Sequence, residues 1–123
     1  MNSKMGDIDE LEPCFYCGVP ANSIDHVPPR AMRKRMADLG EYFGVWVEVP
    51  ACMWCNSTLG NLALLTLTDR KLYIKQRLRV KFKKLLASHD WTGEQLDELG
   101  YTLKTKILAS MAKRRLVRQR IAW

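Results

Sequence analysis

An α+β fold is predicted for this 123-residue chain by three observations. The cysteines come as two C-x2-C pairs, Cys14/Cys17 and Cys52/Cys55, far enough apart that only folding can bring them together. Between the pairs lie two short segments of β-type composition. After them, apolar residues recur at helical spacing through a lysine- and arginine-rich second half. The architecture implied is two short strands and a helix around a bound metal, followed by a helical basic tail. Residues 1–12 read as a mobile acidic lead, 13–65 as the core and 66–123 as the tail.

The elements follow in order. Residues 22–27 suit a strand, stopped at Pro28-Pro29 because proline donates nothing to a ladder. Residues 30–39 suit a helix, with Gly40 as its stop. Residues 44–49 (GVWVEV) have the β-branched and aromatic content of a second strand, which Pro50 should end. A helix is expected over 56–65, weakened by Gly60. Thr66 or Thr68 can cap the next helix, with Asp69 in its first turn. Along it Leu72, Ile74, Leu78, Phe82, Leu85 and Leu86 form the inward stripe. Residues 88–92 should break the chain, Thr92-Gly93-Glu94-Gln95 should open a short helix ending near Gly100, and a last helix should run over 102–120.

Charge divides the chain in the same place. Residues 1–65 carry five basic side chains against eight acidic ones, a net of −3. Residues 66–123 carry fifteen against five, a net of +10, which brings the whole to +7. Such a balance predicts attraction to polyanions, nucleic acid first among them, and a tail that grips phosphates. The longest apolar runs span only a few residues, so no membrane span is expected. The acidic opening lacks the apolar stretch of a secretory signal, which points to the cytoplasm.

Paired C-x2-C spacing lets four thiolates share one tetrahedral ion, so Cys14, Cys17, Cys52 and Cys55 are read as ligands of a structural Zn2+. Two disulfides would need an oxidising compartment, and a redox dithiol would leave the second pair unexplained. Gly18 follows the first pair, where a turn closing on the metal needs positive φ.

Asp25-His26 lies between the pairs, and Asn56 directly follows the last cysteine. Zinc ties residue 56 back toward the front of the chain, close to that dipeptide. Asp25 and Asn56 offer hard oxygen ligands to Mg2+ or Mn2+, and His26 can deprotonate a water. Such a trio suits metal-assisted phosphodiester hydrolysis.

The order C-x2-C, Asp25-His26, C-x2-C-Asn56 resembles the HNH endonuclease superfamily. The run Cys52-Met-Trp-Cys-Asn56-Ser-Thr-Leu59-Gly60 is similar to the phage recombination endonuclease VII branch, and Asp25-His26-Val27-Pro28-Pro29-Arg30 is similar to small HNH proteins of phages. The resemblance covers about residues 13–65. It implies a ββα-metal, treble-clef-like core in which Asp25 and Asn56 hold the catalytic metal, His26 is the general base and the four cysteines bind zinc. Two positions depart from the family pattern. Residues 46–51 contain no Asn to orient the base, which leaves Glu48 or a backbone carbonyl for that task, and Leu59 stands where many members have Lys or Arg.

Arg30, Arg33, Lys34 and Arg35 lie just beyond Asp25-His26, within reach of phosphates beside a scissile bond. Lys113, Arg114, Arg115, Arg118 and Arg120 form the densest cationic cluster and are expected to supply most of the DNA affinity. Trp54, Trp91 and Trp123 are aromatic enough to stack on bases, although core packing accounts for them as well. The expected function is therefore a metal-dependent DNA endonuclease acting on branched or phage DNA. The alternatives are a non-catalytic zinc module that binds DNA or a nucleoprotein complex, and a phage protein-interaction factor. A homodimer and a phage or host nucleoprotein are the protein partners left open.

Overall fold

The computed structural model describes residues 12–39 and 46–123. Residues 1–11 of the expected lead, the Gly40 stop and the first two residues of the expected second strand lie outside the described residues. Glu12, the last of the lead, is tied in: its carbonyl accepts from the Ala21 N–H at 2.8 Å.

Strand β1 (Ser23–Val27) pairs antiparallel with β2 (Val47–Ala51), with His26 opposite Glu48 and Asp25 opposite Val49. Helix α1 (Arg30–Leu39) follows β1 across Pro28-Pro29. Pro50 was expected to end the second strand, and instead β2 runs through it to Ala51. The reason is the direction in which Pro50 faces. Its carbonyl accepts from the Phe15 N–H at 2.9 Å, on the side away from β1, so the missing proline N–H removes no β1–β2 bond. That bond also stitches the first cysteine loop to the sheet.

Helix α2 (Met53–Leu59) starts three residues earlier than expected and ends six earlier. Cys52 caps it, its Sγ accepting from the Cys55 N–H at 3.4 Å, and Gly60 stops it at φ 45°. The second cysteine pair therefore lies on a helix start. Helix α3 (Leu67–Lys81) is capped by Thr66, whose hydroxyl accepts from the Asp69 N–H at 3.1 Å. The expected single helix to residue 86 bends at Phe82, and a four-residue turn α4 (Lys83–Leu86) follows. The bend keeps Phe82 packed against the core. Helix α5 (Gly93–Asp97) opens with a Thr92/Gln95 capping box, and α6 (Tyr101–Ala122) closes the chain.

The core gathers Tyr16, the four cysteines, Val49, Ala51 and Leu59, and seals them with Ile74 and Leu78 from α3. Fully burying each of those two aliphatic side chains contributes roughly 1.5–3 kcal/mol. Leu72, expected in the inward stripe, is 59% exposed and faces solvent. Helix α6 packs on α3 and α4 and brings its last turn back to the first cysteine pair. No helix among the described residues is long and apolar enough to cross a membrane.

Candidate functional site

The cysteine cluster is built by two turns facing each other. In the first, the Cys14 N–H donates to the Val19 carbonyl at 2.6 Å and the Gly18 N–H to the Cys14 carbonyl at 2.9 Å. Gly18 takes φ +81°, a conformation that side chains disfavour. The second turn is the start of α2. Together they bury Cys14, Cys17, Cys52 and Cys55 with their sulfurs all within 4.8 Å of one another, and none is in a disulfide. The Cys17–Cys52 sulfur separation is 3.8 Å. A Zn–S bond near 2.3 Å in a tetrahedron requires an edge of about 3.8 Å, so the donor set fits zinc in both chemistry and spacing.

The thiols also show the charge crowding that a cation relieves. Hydrogen bonds from Cys17, Cys52 and Cys55 draw the Cys14 thiol far below its ordinary range. Cys17 is lowered to about 6: its bond with Cys14 pushes it up, and those with Cys52 and Cys55 more than offset that. Cys52 and Cys55 are driven upward, foremost by Cys14. Without a cation the cluster cannot ionise at all four positions, whereas a divalent ion removes that repulsion.

Asp25, His26 and Asn56 line one cavity of about 230 Å³, together with Pro29, Arg30, Gly60 and Asn61. Strand alternation sends Asp25 and His26 to different surroundings. Asp25 is only 4% exposed and His26 partly buried. His26 Nδ1 lies 2.9 Å from Glu48 Oε2, the cross-strand neighbour that the register sets opposite it, but the geometry is not that of a hydrogen bond and the buried Nδ1 has no hydrogen-bond partner among the described residues. Asn56 donates through Nδ2 to Ser23 Oγ at 3.1 Å and to the Ile24 carbonyl at 3.0 Å. A carbonyl only accepts, so the amide orientation is determined and Oδ1 is left out of both bonds.

Asp25 has a second set of partners that sequence reasoning missed. Arg70, 0% exposed on the first turns of α3, donates Nε to Asp25 Oδ2 and Nη2 to Oδ1, both at 3.0 Å. Arg70 Nη1 reaches the Leu64 carbonyl at 2.9 Å, and the Tyr16 hydroxyl also donates to Asp25 Oδ2. Burial, and then that hydrogen bond, raise the Tyr16 hydroxyl far above its ordinary range, which keeps it a donor. Three of about four lone-pair positions on the carboxylate are thus filled, with capacity for one more partner on Oδ1. Arg70 sat in the sequence as one cation among the fifteen of the tail. The available signal was its position four residues after the Thr66 cap, on the face shared with the buried Ile74 and Leu78.

The basic residues separate into free and committed. Arg30, Lys34, Arg115 and Arg118 are exposed, and Arg30 borders the Asp25–His26–Asn56 cavity. Arg33 donates Nε to the Pro28 carbonyl at 3.0 Å and lies 4.9 Å over the Trp46 ring. The Arg35 side chain falls outside the described residues. Lys113 is exposed with its Nζ 5.6 Å over the Phe82 ring.

Arg114 departs from its expected role as a phosphate contact. It is 5% exposed, donates to the Ser88 carbonyl at 2.6 Å, and pairs with Asp90, clamping the 88–92 break to α6. Arg120 departs too: it lies 5.3 Å over the Trp54 ring, facing the cysteine cluster. Burial works to lower its pKa, and the hydrogen bond and negative charge of Cys17, with Cys52 and Cys55 behind, raise it by more. A cation so placed is not free for phosphate. Trp123 donates Nε1–H to the Phe15 carbonyl at 3.0 Å, and Trp91 packs edge-on against His89. Both are occupied within the fold. No family model matches the chain, and no curated protein or solved structure matches it significantly.

Proposed function

We propose that this chain is a metal-dependent DNA endonuclease of the HNH type, with branched and phage DNA the substrates to try first. The observation that carries the reading is the shared cavity of Asp25, His26 and Asn56, bordered by the exposed Arg30, with the Glu48 carboxylate 2.9 Å from His26 Nδ1. In the tautomer that places the ring proton on Nδ1, beside Glu48, Nε2 carries the free lone pair and takes the proton of an attacking water. Arg30 holds a phosphate oxygen beside it. A hard divalent ion at Asn56 Oδ1 and Asp25 Oδ1 would polarise the phosphate and stabilise the leaving oxygen. Because Arg70 already offsets the Asp25 charge, Asp25 and Asn56 alone would hold such an ion weakly, and a DNA phosphate would be expected to supply further oxygen ligands. Cleavage should therefore need free Mg2+ or Mn2+ well above the level that saturates a tight protein site.

The engagement of Asp25 by Arg70 specifically favours a second reading, a non-catalytic zinc module that binds nucleic acid through the same exposed cations. A nuclease assay over linear, nicked and branched DNA, with Mg2+, Mn2+ or chelator, separates the two. Metal-dependent cleavage supports the enzyme. Salt-sensitive binding without cleavage of any substrate supports the module.

A further inference from the structure

The last turn of α6 and the cysteine cluster meet in one groove, with Cys17 and Gly18 on one wall and Arg120 and Trp123 on the other. Four thiolates around one Zn2+ carry a net charge of −2, buried beneath Tyr16, Leu59 and Ile74. A buried charge of that size is costly unless a cation lies close. Arg120 is a cation that lines this groove with Cys17: its guanidinium lies over Trp54, inside the second C-x2-C pair, and its buried Nε has no partner among the described residues. The same turn is fastened at three further points. Trp123 bonds the Phe15 carbonyl and rests on Gly18, where a Cβ would come within 2.6 Å of the indole. Lys75 Nζ caps the Ile121 carbonyl at 2.7 Å.

We propose that Arg120 is the counter-charge of the metal-loaded cluster, so that metal retention and docking of the C-terminal turn depend on each other. Whatever factor the docked guanidinium adds to zinc affinity, bound zinc returns to docking, because coupling between two equilibria is reciprocal. The C-terminal turn is thereby a cover for the zinc thiolates. The proposal rests on the reading of the cluster as a zinc site, and zinc content of the wild-type protein, measured first, tests that reading on its own.

The experiment follows zinc transfer from the full-length, zinc-loaded chain to a chromogenic chelator, with folding checked by circular dichroism. Removing a group that supports a metal ligand typically costs 10–100-fold in affinity, so Arg120→Gln should release zinc on the order of 10–100-fold faster. Arg120→Lys should stay within about threefold of wild type, because it keeps the charge that the proposal makes responsible. Arg118→Gln, an equal charge change on an exposed neighbour, should release zinc at the wild-type rate. Equal rates for Arg120→Gln and wild type overturn the proposal, and so does Arg120→Lys releasing as fast as Arg120→Gln. Should Arg120→Gln fail to fold, the lysine variant decides: wild-type retention supports the counter-charge, and loss of zinc refutes it.

Discussion

Replacing Arg70 with Met should unfold the protein more readily than any exposed basic substitution in the tail. The side chain is 0% exposed and makes two 3.0 Å bonds to a carboxylate that is itself 4% exposed. Met fills similar space, so the loss is chiefly electrostatic: Asp25 is left buried with only Tyr16 as donor. Breaking one side of such a pair costs about 3–5 kcal/mol, a large share of the roughly 5–15 kcal/mol that holds a domain together. For a chain of this length that lowers Tm on the order of 10–20 °C. Asp25→Asn should also be costly, since its amide nitrogen would face a donor of Arg70 or Tyr16 and the buried guanidinium would lose its counter-charge. The double variant should be less destabilised than the sum, with a coupling of about 1–3 kcal/mol between groups in contact. The assay is urea unfolding of the zinc-loaded protein followed by circular dichroism. A loss below about 1 kcal/mol for Arg70→Met, the range of an exposed pair, would refute the argument, as would additivity in the cycle.

Zinc should be present at one per chain, and chelator should unfold the front of the molecule; protons compete for the thiolates, so retention should fall as pH falls, which elemental analysis after dialysis across a pH series will check. Gly18→Ala should lower stability by at least about 1 kcal/mol, because the new Cβ meets both a positive φ and the Trp123 ring, as thermal melts will show. Arg114→Ala should destabilise the fold, whereas Arg115→Ala and Arg118→Ala should leave melting unchanged and weaken DNA binding alike for all sequences; paired melts and salt titrations distinguish the two classes.

Local signals in the chain translated well into local structure. The Thr66 and Thr92 caps, the Arg30–Leu39 helix and the paired cysteine spacing each rest on a few neighbouring residues, and each appears where expected. The errors came where tertiary contact overrides local preference. Pro50 stays in its strand because its carbonyl serves Phe15 and its nitrogen faces away from β1. A cysteine thiol starts α2, a cap outside the usual Ser, Thr, Asp and Asn set. Charge counting placed Arg70 in the basic tail and named Arg114 and Arg120 within its densest cationic cluster as phosphate contacts. Yet one closes on Asp25, one on Asp90 and one on the cysteine cluster, across separations that periodicity along a helix does not encode. Glu48 lay within reach of sequence reasoning because antiparallel pairing of two five-residue strands brings it opposite His26.

The central claim is that His26, beside Glu48, activates water next to a metal-bound phosphate. Its most direct test is strand cleavage by zinc-loaded wild type, His26→Ala and Glu48→Gln in parallel, with Mg2+ or Mn2+ supplied in excess. Cleavage by wild type should vanish with chelator and with His26→Ala, and should slow in Glu48→Gln, while zinc content and DNA affinity hold in all three. Cleavage by His26→Ala at the wild-type rate, or none by folded wild type on any DNA structure with either metal, would contradict it.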